Sequence, residues 1–109
     1  MRSMDSKYNV IISPSVFKSI DDTLSYLINT YGANTAAANL FTEWKDAVAR
    51  ISLYPYAMAK VTNQNVSDGK EYHKFFVGNF ITIYNIDEAH KTIKILAFRY
   101  APSKLGDQI

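Results

Sequence analysis

The sequence predicts an α+β fold in which a helical hairpin packs on one face of a mostly antiparallel four-stranded sheet, with elements in the order β-α-α-β-β-β. Three observations predict it. Two apolar stripes of helical spacing lie between residues 14 and 53, separated by a few residues around Gly32. The run from Tyr72 to Tyr100 is rich in Phe, Ile, Tyr and Thr and is punctuated by Gly78-Asn79 and by Asp87-Glu88-Ala89-His90-Lys91, the pattern of a three-stranded meander. A hairpin with both stripes turned one way can bury them only against one sheet face, which leaves the other face open.

Tyr8 to Ile12 is short and β-branched and reads as the first strand. Ser13 is placed to cap a helix whose first residue is Pro14, where a missing amide proton costs nothing. Val16, Phe17, Ile20, Leu24, Leu27, Ile28 and Tyr31 then recur at helical spacing, and Gly32 suits a left-handed stop. A second helix is expected from Asn34 or Thr35, either of which can cap it, through Ala37, Leu40, Phe41, Trp44, Ala47, Val48 and Ile51, with Pro55 ending it. Trp44, Phe41, Ile20 and Leu24 are expected to be buried. An aromatic inside a regular stripe is core before it is a ligand platform, and Trp44 is read so. Tyr54 to Lys70 has no period and is expected to be a loop.

With 109 residues, 48% apolar, the chain closes one core, so residues 1–109 are expected to form a single domain. No apolar run approaches the roughly 20 residues needed to span a bilayer, and the first residues are too polar for a secretory signal. A cytoplasmic protein without membrane association is expected. The absence of cysteine excludes disulfides and thiolate chemistry, and two histidines argue against a histidine metal site, so neither a metal nor another cofactor is expected. The net charge of +2 is unevenly placed, because all the excess lies in the half carrying Lys60, Lys70, Lys74, Lys91, Lys94, Arg99 and Lys104. Such a bias attracts a polyanion only if the charges share a face; otherwise it is a solvated surface.

The element order, together with Lys74-Phe75-Phe76-Val77-Gly78-Asn79-Phe80 running to Tyr84 and the acidic turn at Asp87-Glu88, resembles the RelE/ParE superfamily of bacterial toxins from type II toxin–antitoxin systems. Leu53-Tyr54-Pro55 is similar to the family's exit from its second helix. The resemblance implies a toxin held inactive by a cognate antitoxin. RelE-like members are metal-independent mRNA endoribonucleases (mRNA interferases) that inhibit translation by cutting ribosome-bound mRNA with basic residues on the open sheet face. ParE-like members, which lack those residues, inhibit DNA gyrase, and that remains the alternative here alongside a catalytically degenerate module that only binds its antitoxin. A homodimer is also compatible with the sequence.

Cleavage by attack of a ribose 2′-OH on the adjacent phosphate needs a proton acceptor, cations for the charge that builds on phosphorus, and an acid for the leaving oxygen. By resemblance, Lys74 and Arg99 stand at the basic positions and Tyr100 falls where many members carry His, which makes these three the candidate catalytic residues. Lys60, Lys70 and Lys104 are candidates for contact with RNA phosphates, or else solvated lysines. The sequence departs from the family at Ile81, where an arginine is usual, and at Tyr72, where some members have lysine. Lys74 is either a phosphate partner or a solvated side chain, and Tyr100 an acid, a base-stacking platform or a strand-end aromatic. Alternation turns His73 away from Lys74 towards a structural role, and His90 falls in an exposed turn. Ile81 and Ile83 project opposite the core positions Phe80, Thr82 and Tyr84, an apolar pair expected to contact a protein partner.

Overall fold

The computed structural model describes residues 7–61 and 70–101. Strand β1 (Asn9–Ile12) is followed by helices α1 (Pro14–Tyr31) and α2 (Asn34–Leu53), then by β2 (Ala59–Lys60), β3 (Glu71–Val77), β4 (Phe80–Asp87) and β5 (Thr92–Tyr100). The strands form one sheet in the order β1-β5-β4-β3-β2, with only the β1/β5 pair parallel. The expected sheet is therefore extended by a fifth, two-residue strand. Ala59 and Lys60 pair with Lys74 and His73 at the edge, in a segment whose sequence has no strand period and which only the neighbouring β3 ladder holds extended.

Both helices have their expected bounds, but their caps differ in detail. Ser13 occupies the N-cap of α1 without a side-chain cap bond, since its hydroxyl lies 3.3 Å from that of Ser15. Ala33, and neither Asn34 nor Thr35, is the N-cap of α2. The reason is the tight link, in which Gly32 takes the left-handed φ of 62° and the Gly32 and Ala33 amides return to the Ile28 and Leu27 carbonyls. That closure leaves a single residue between the stop of α1 and the first turn of α2. In the β3–β4 loop Gly78 has φ 57°, the conformation that a two-residue hairpin requires at its first position.

The core lies between the helices and one sheet face. Val16, Ile20, Trp44, Ala47 and Ile51 meet Phe75, Val77, Tyr84, Ile86, Ile93, Ile95 and Phe98. Trp44 is its centre. The indole packs edge-on to Phe98 and donates to the Thr82 hydroxyl at 2.9 Å, so a fully buried N–H reaches a partner across the layers. The buried Tyr84 hydroxyl donates to the Pro55 carbonyl at 2.7 Å and ties the exit of α2 to the middle of β4. Ile20 is buried as expected, whereas Leu24 is only half-buried, Phe41 is 38% exposed and Phe17 57% exposed. Helical geometry explains the difference: Phe17 stands about a quarter-turn from the Val16/Ile20/Leu27 line and Phe41 lies at the margin of the Trp44/Ile51 line, so both reach the flank of the hairpin.

A second set of contacts locks the far end of the sheet. The Tyr8 and Tyr56 hydroxyls both donate to Glu88 Oε1 at 2.7 Å, while Lys91 Nζ reaches Glu88 Oε2 at 3.3 Å and sits 4.4 Å from the Tyr8 ring centre. The entry to β1, the exit of α2 and the β4–β5 turn are thereby joined through one carboxylate. Lys91 adopts a left-handed φ of 49°, a cost to a non-glycine residue that these contacts offset. Bonds from Tyr8, then Tyr56 and Lys91, hold the Glu88 carboxyl below its usual value, and burial followed by the Glu88 bond pushes the Tyr56 hydroxyl up.

Two outcomes follow from these contacts. Trp44→Ala is expected to cost about 3–5 kcal/mol and Thr82→Val, which strands the indole N–H, about 1–3 kcal/mol, both measured by urea unfolding. Because the Glu88 pKa is lower in the folded chain than in the unfolded one, its contribution is complete above the ordinary glutamate value of about 4.3 and fades as pH falls through the lowered one. Melting temperatures recorded from neutral pH to pH 3 should accordingly show the advantage of the natural protein over Glu88→Gln shrinking only in the acid range.

Candidate functional site

The sheet face turned away from the helices carries the candidate site, and strand register fixes its layout. Partners in the ladders share a face, so Phe76, Ile81 and Arg99 form one cross-strand row and Lys74, Ile83 and Ala97 the next. A third row holds Tyr72, Asn85, Lys94 and Ile11. Ile81 and Ile83 are half-buried and form an apolar floor, with cations at the surrounding positions.

Strict alternation does not account for this arrangement. Counting by twos from Arg99 would send Lys94 to the helix side. Ile83 pairs with Ala97 but Tyr84 pairs with Ile95, so Leu96 is an extra residue and the parity of β5 changes across it. Ile93, Ile95 and Phe98 all become core residues, while Lys94 joins Arg99 on the open face.

Lys18, Lys60 and Lys91 are paired with Asp22, Glu71 and Glu88. Among the described residues Lys74, Lys94 and Arg99 of that face make no ion pair, as is also true of Lys45 and Arg50 on α2. The nearest acidic side chain in the ladders of this face is Asp87, which is engaged with the His90 ring at 2.9 Å, and that contact holds its carboxyl below the usual range. A positive field from Lys74, Lys94 and Arg99 over an apolar floor is the electrostatic form of a surface for a polyanion carrying planar bases.

The residues singled out in the sequence separate on this framework. Lys74, Arg99, Ile81 and Ile83 come together on the open face. Tyr100 does not join them: it pairs with Phe80, its ring lies 5.4 Å from the Phe80 ring, and it borders a cleft of about 740 Å³ on the helix side with Tyr26, Leu27 and Tyr31. The physical reason is alternation, which turns the side chain after Arg99 to the opposite face. Lys60 likewise shares a side with His73 and is engaged by Glu71 at 2.9 Å, an ion pair that holds the Glu71 carboxyl below its usual value. Lys70 borders a small cleft at the far end of the open face, and Lys104 lies outside the described residues. His73 is buried, donating from Nδ1 to the Met58 carbonyl at 2.8 Å and stacking on Tyr84, and His90 is exposed.

Lys94 and Asn85 are the site residues that sequence reasoning missed. No signal in the sequence marks the extra residue at Leu96, and Asn85 reads as an ordinary strand polar residue until its burial is known. Asn85 is 6% exposed, and its Oδ1 has no hydrogen-bond partner among the described residues, an arrangement that costs about 1–3 kcal/mol when nothing satisfies it. Among the described residues no group of three or more His, Cys, Asp or Glu side chains is placed to hold a metal ion, and no helix is long and apolar enough to cross a membrane.

Since the open-face cations have no carboxylate partner to lose, Lys74→Ala, Lys94→Ala and Arg99→Ala should each change unfolding free energy by no more than about 0.5 kcal/mol in urea. A much larger loss in any of them would show that the side chain holds the fold together.

No protein-family model matches the chain, and no curated protein matches it in sequence. Solved structures do share its fold. A RelE–RelB complex from the archaeon Pyrococcus horikoshii OT3 matches with a TM-score of 0.55 at 18% identity, over 90% of this chain and 98% of that one. The toxin–antitoxin complex RelBE2 from Mycobacterium tuberculosis matches with a TM-score of 0.59 at 16% identity, over 89% of this chain and 94% of that one. Two helices against a mostly antiparallel five-stranded sheet is thus a RelE-type α+β fold.

Proposed function

We propose that this chain is the toxin of a type II toxin–antitoxin system and acts as a RelE-like endoribonuclease on ribosome-bound mRNA. The observation that carries the proposal is the gathering of Lys74, Lys94 and Arg99, none of them ion-paired among the described residues, on the sheet face that the helices leave open. The fold shared with two toxins that were solved with their antitoxins supports the biological class.

In the proposed reaction the RNA backbone crosses the open face and its bases rest on the apolar floor of Ile81 and Ile83. The Arg99 guanidinium and the Lys74 ammonium offset the charge that develops on the phosphate as the 2′-OH attacks. The rows holding Lys74 and Arg99 contain neither an imidazole nor a carboxylate. With Tyr100 on the wrong side of β5 to move the proton, the 2′-OH proton passes to water as the P–O2′ bond forms. The leaving 5′ oxygen takes a proton from water as the P–O5′ bond breaks, so rate enhancement rests on orientation and charge. Ile81 where the family carries arginine predicts a slower enzyme, because one guanidinium is missing from the phosphate.

The proposed inhibitor is a second, small protein that covers the toxin, with Ile81 and Ile83 among the contacts. Co-expression with a neighbouring reading frame should yield one complex on size exclusion.

Inducing the protein in translating cells and mapping mRNA 5′ ends is expected to reveal new ends inside reading frames. Arg99→Ala and Lys74→Ala should each lower cleavage at least about tenfold, the effect of about 1.4 kcal/mol in the transition state. Intact mRNA together with a DNA-damage response would point to gyrase instead, and an absence of growth arrest to a module that only binds its antitoxin.

A further inference from the structure

Beyond Arg99 and Lys74, the open face continues to a second polar centre. The row of Asn85 and Lys94 lies two residues further along β4 than the row of Ile83 and Lys74, a step of about 7 Å along the strand. Here the surface sinks into a cleft of about 230 Å³ bordered by Lys70, Asn85, Asp87, His90, Thr92 and Lys94. Two independent features meet in it. Lys94 brings a positive charge with no ion-pair partner among the described residues. Asn85, nine-tenths buried at the centre of a four-strand row, has an amide oxygen that nothing among the described residues satisfies.

From this juxtaposition we infer that the cleft is a second RNA subsite, which binds one ribose-phosphate unit away from the scissile bond. The inference rests on the ribonuclease reading of the face and adds to it a residue that distinguishes RNA from DNA. A phosphate needs cations and donors, which Lys94 supplies with Lys70 and His90 at the rim. Among the described residues lining the cleft the one carboxylate, Asp87, is already engaged by the His90 ring. The unpartnered Asn85 oxygen needs a hydrogen-bond donor. The ribose 2′-OH can donate to it, and it is the group that deoxyribose lacks. A free inorganic phosphate would satisfy Lys94 but leave the Asn85 oxygen without a donor, so the cleft chemistry favours the sugar-bearing ligand.

The test uses the full chain with fluorescently labelled single-stranded RNA and DNA of one sequence, read by anisotropy over a range of salt concentrations. The natural protein is expected to prefer RNA. Lys94→Gln, an exposed position that does not threaten folding, should weaken RNA and DNA alike and reduce the salt slope by about one. Asn85→Ala should instead leave DNA binding in place and shrink the preference for RNA by about tenfold, the worth of one hydrogen bond to a buried group, in a variant shown by its melting curve to be folded. If Lys94→Gln keeps the full affinity and slope while Arg99→Ala loses RNA, the subsite is wrong and the ribonuclease reading stands. An unchanged RNA preference in folded Asn85→Ala would likewise remove Asn85 from recognition. RNA that fails to bind the natural protein at all, even where inorganic phosphate shifts the Asn85 amide signals in an NMR spectrum, would overturn both the subsite and the reading beneath it.

Discussion

The extra residue at Leu96 is the constraint on which both faces of this protein depend. β5 is central in the sheet, parallel to β1 on one side and antiparallel to β4 on the other. A regular strand would have placed Lys94 against the helices and Ile93 and Ile95 in solvent. The change of parity places Ile93, Ile95 and Phe98 under α1 and α2 and leaves Lys94 and Arg99 together on the open side. One residue of register therefore fixes the apolar core and the cationic surface at the same time.

The two faces also differ in their polar groups. On the helix side Trp44 meets Thr82, Tyr84 meets Pro55 and His73 Nδ1 meets Met58, while His73 Nε2 has no hydrogen-bond partner among the described residues. At the far end the Glu88 carboxylate gathers two tyrosines and a lysine from three separate segments. On the open face, among the described residues, three cations have no carboxylate and a buried amide oxygen has no donor. The cations gathered there leave a positive surface open to an anion.

Tyr100 illustrates how a family likeness transfers only as far as the backbone allows. Its position in the sequence matches a tail residue of the family, but its side chain stands beside Phe80 and faces Tyr26 and Tyr31 across a cleft. Arg99, one residue earlier, faces the other way. Chemistry assigned to adjacent residues of a strand divides between two surfaces, and only the residue that shares a face with Lys74 can act with it.

The sequence by itself determined the elements and their order. Helical periodicity, Pro14, Gly32 and Pro55 set both helix spans, Gly78-Asn79 set the first hairpin, and alternation in β4 placed Ile81 and Ile83 opposite Thr82 and Tyr84. These are local properties, written in spacings of two, three and four residues and in the few residues that tolerate a turn. Tertiary structure alone decided the rest. The edge strand at Ala59 and Lys60 exists because β3 offers a ladder, Phe41 is half in solvent because the sheet contacts only the middle of its stripe, and Lys94 reaches the open face through a register shift that no local pattern encodes. The burial of Asn85 depends on residues far away in the chain. Pairing across strands is a long-range property, so the identity of the core could be read from the chain while the composition of the open face had to wait for the register.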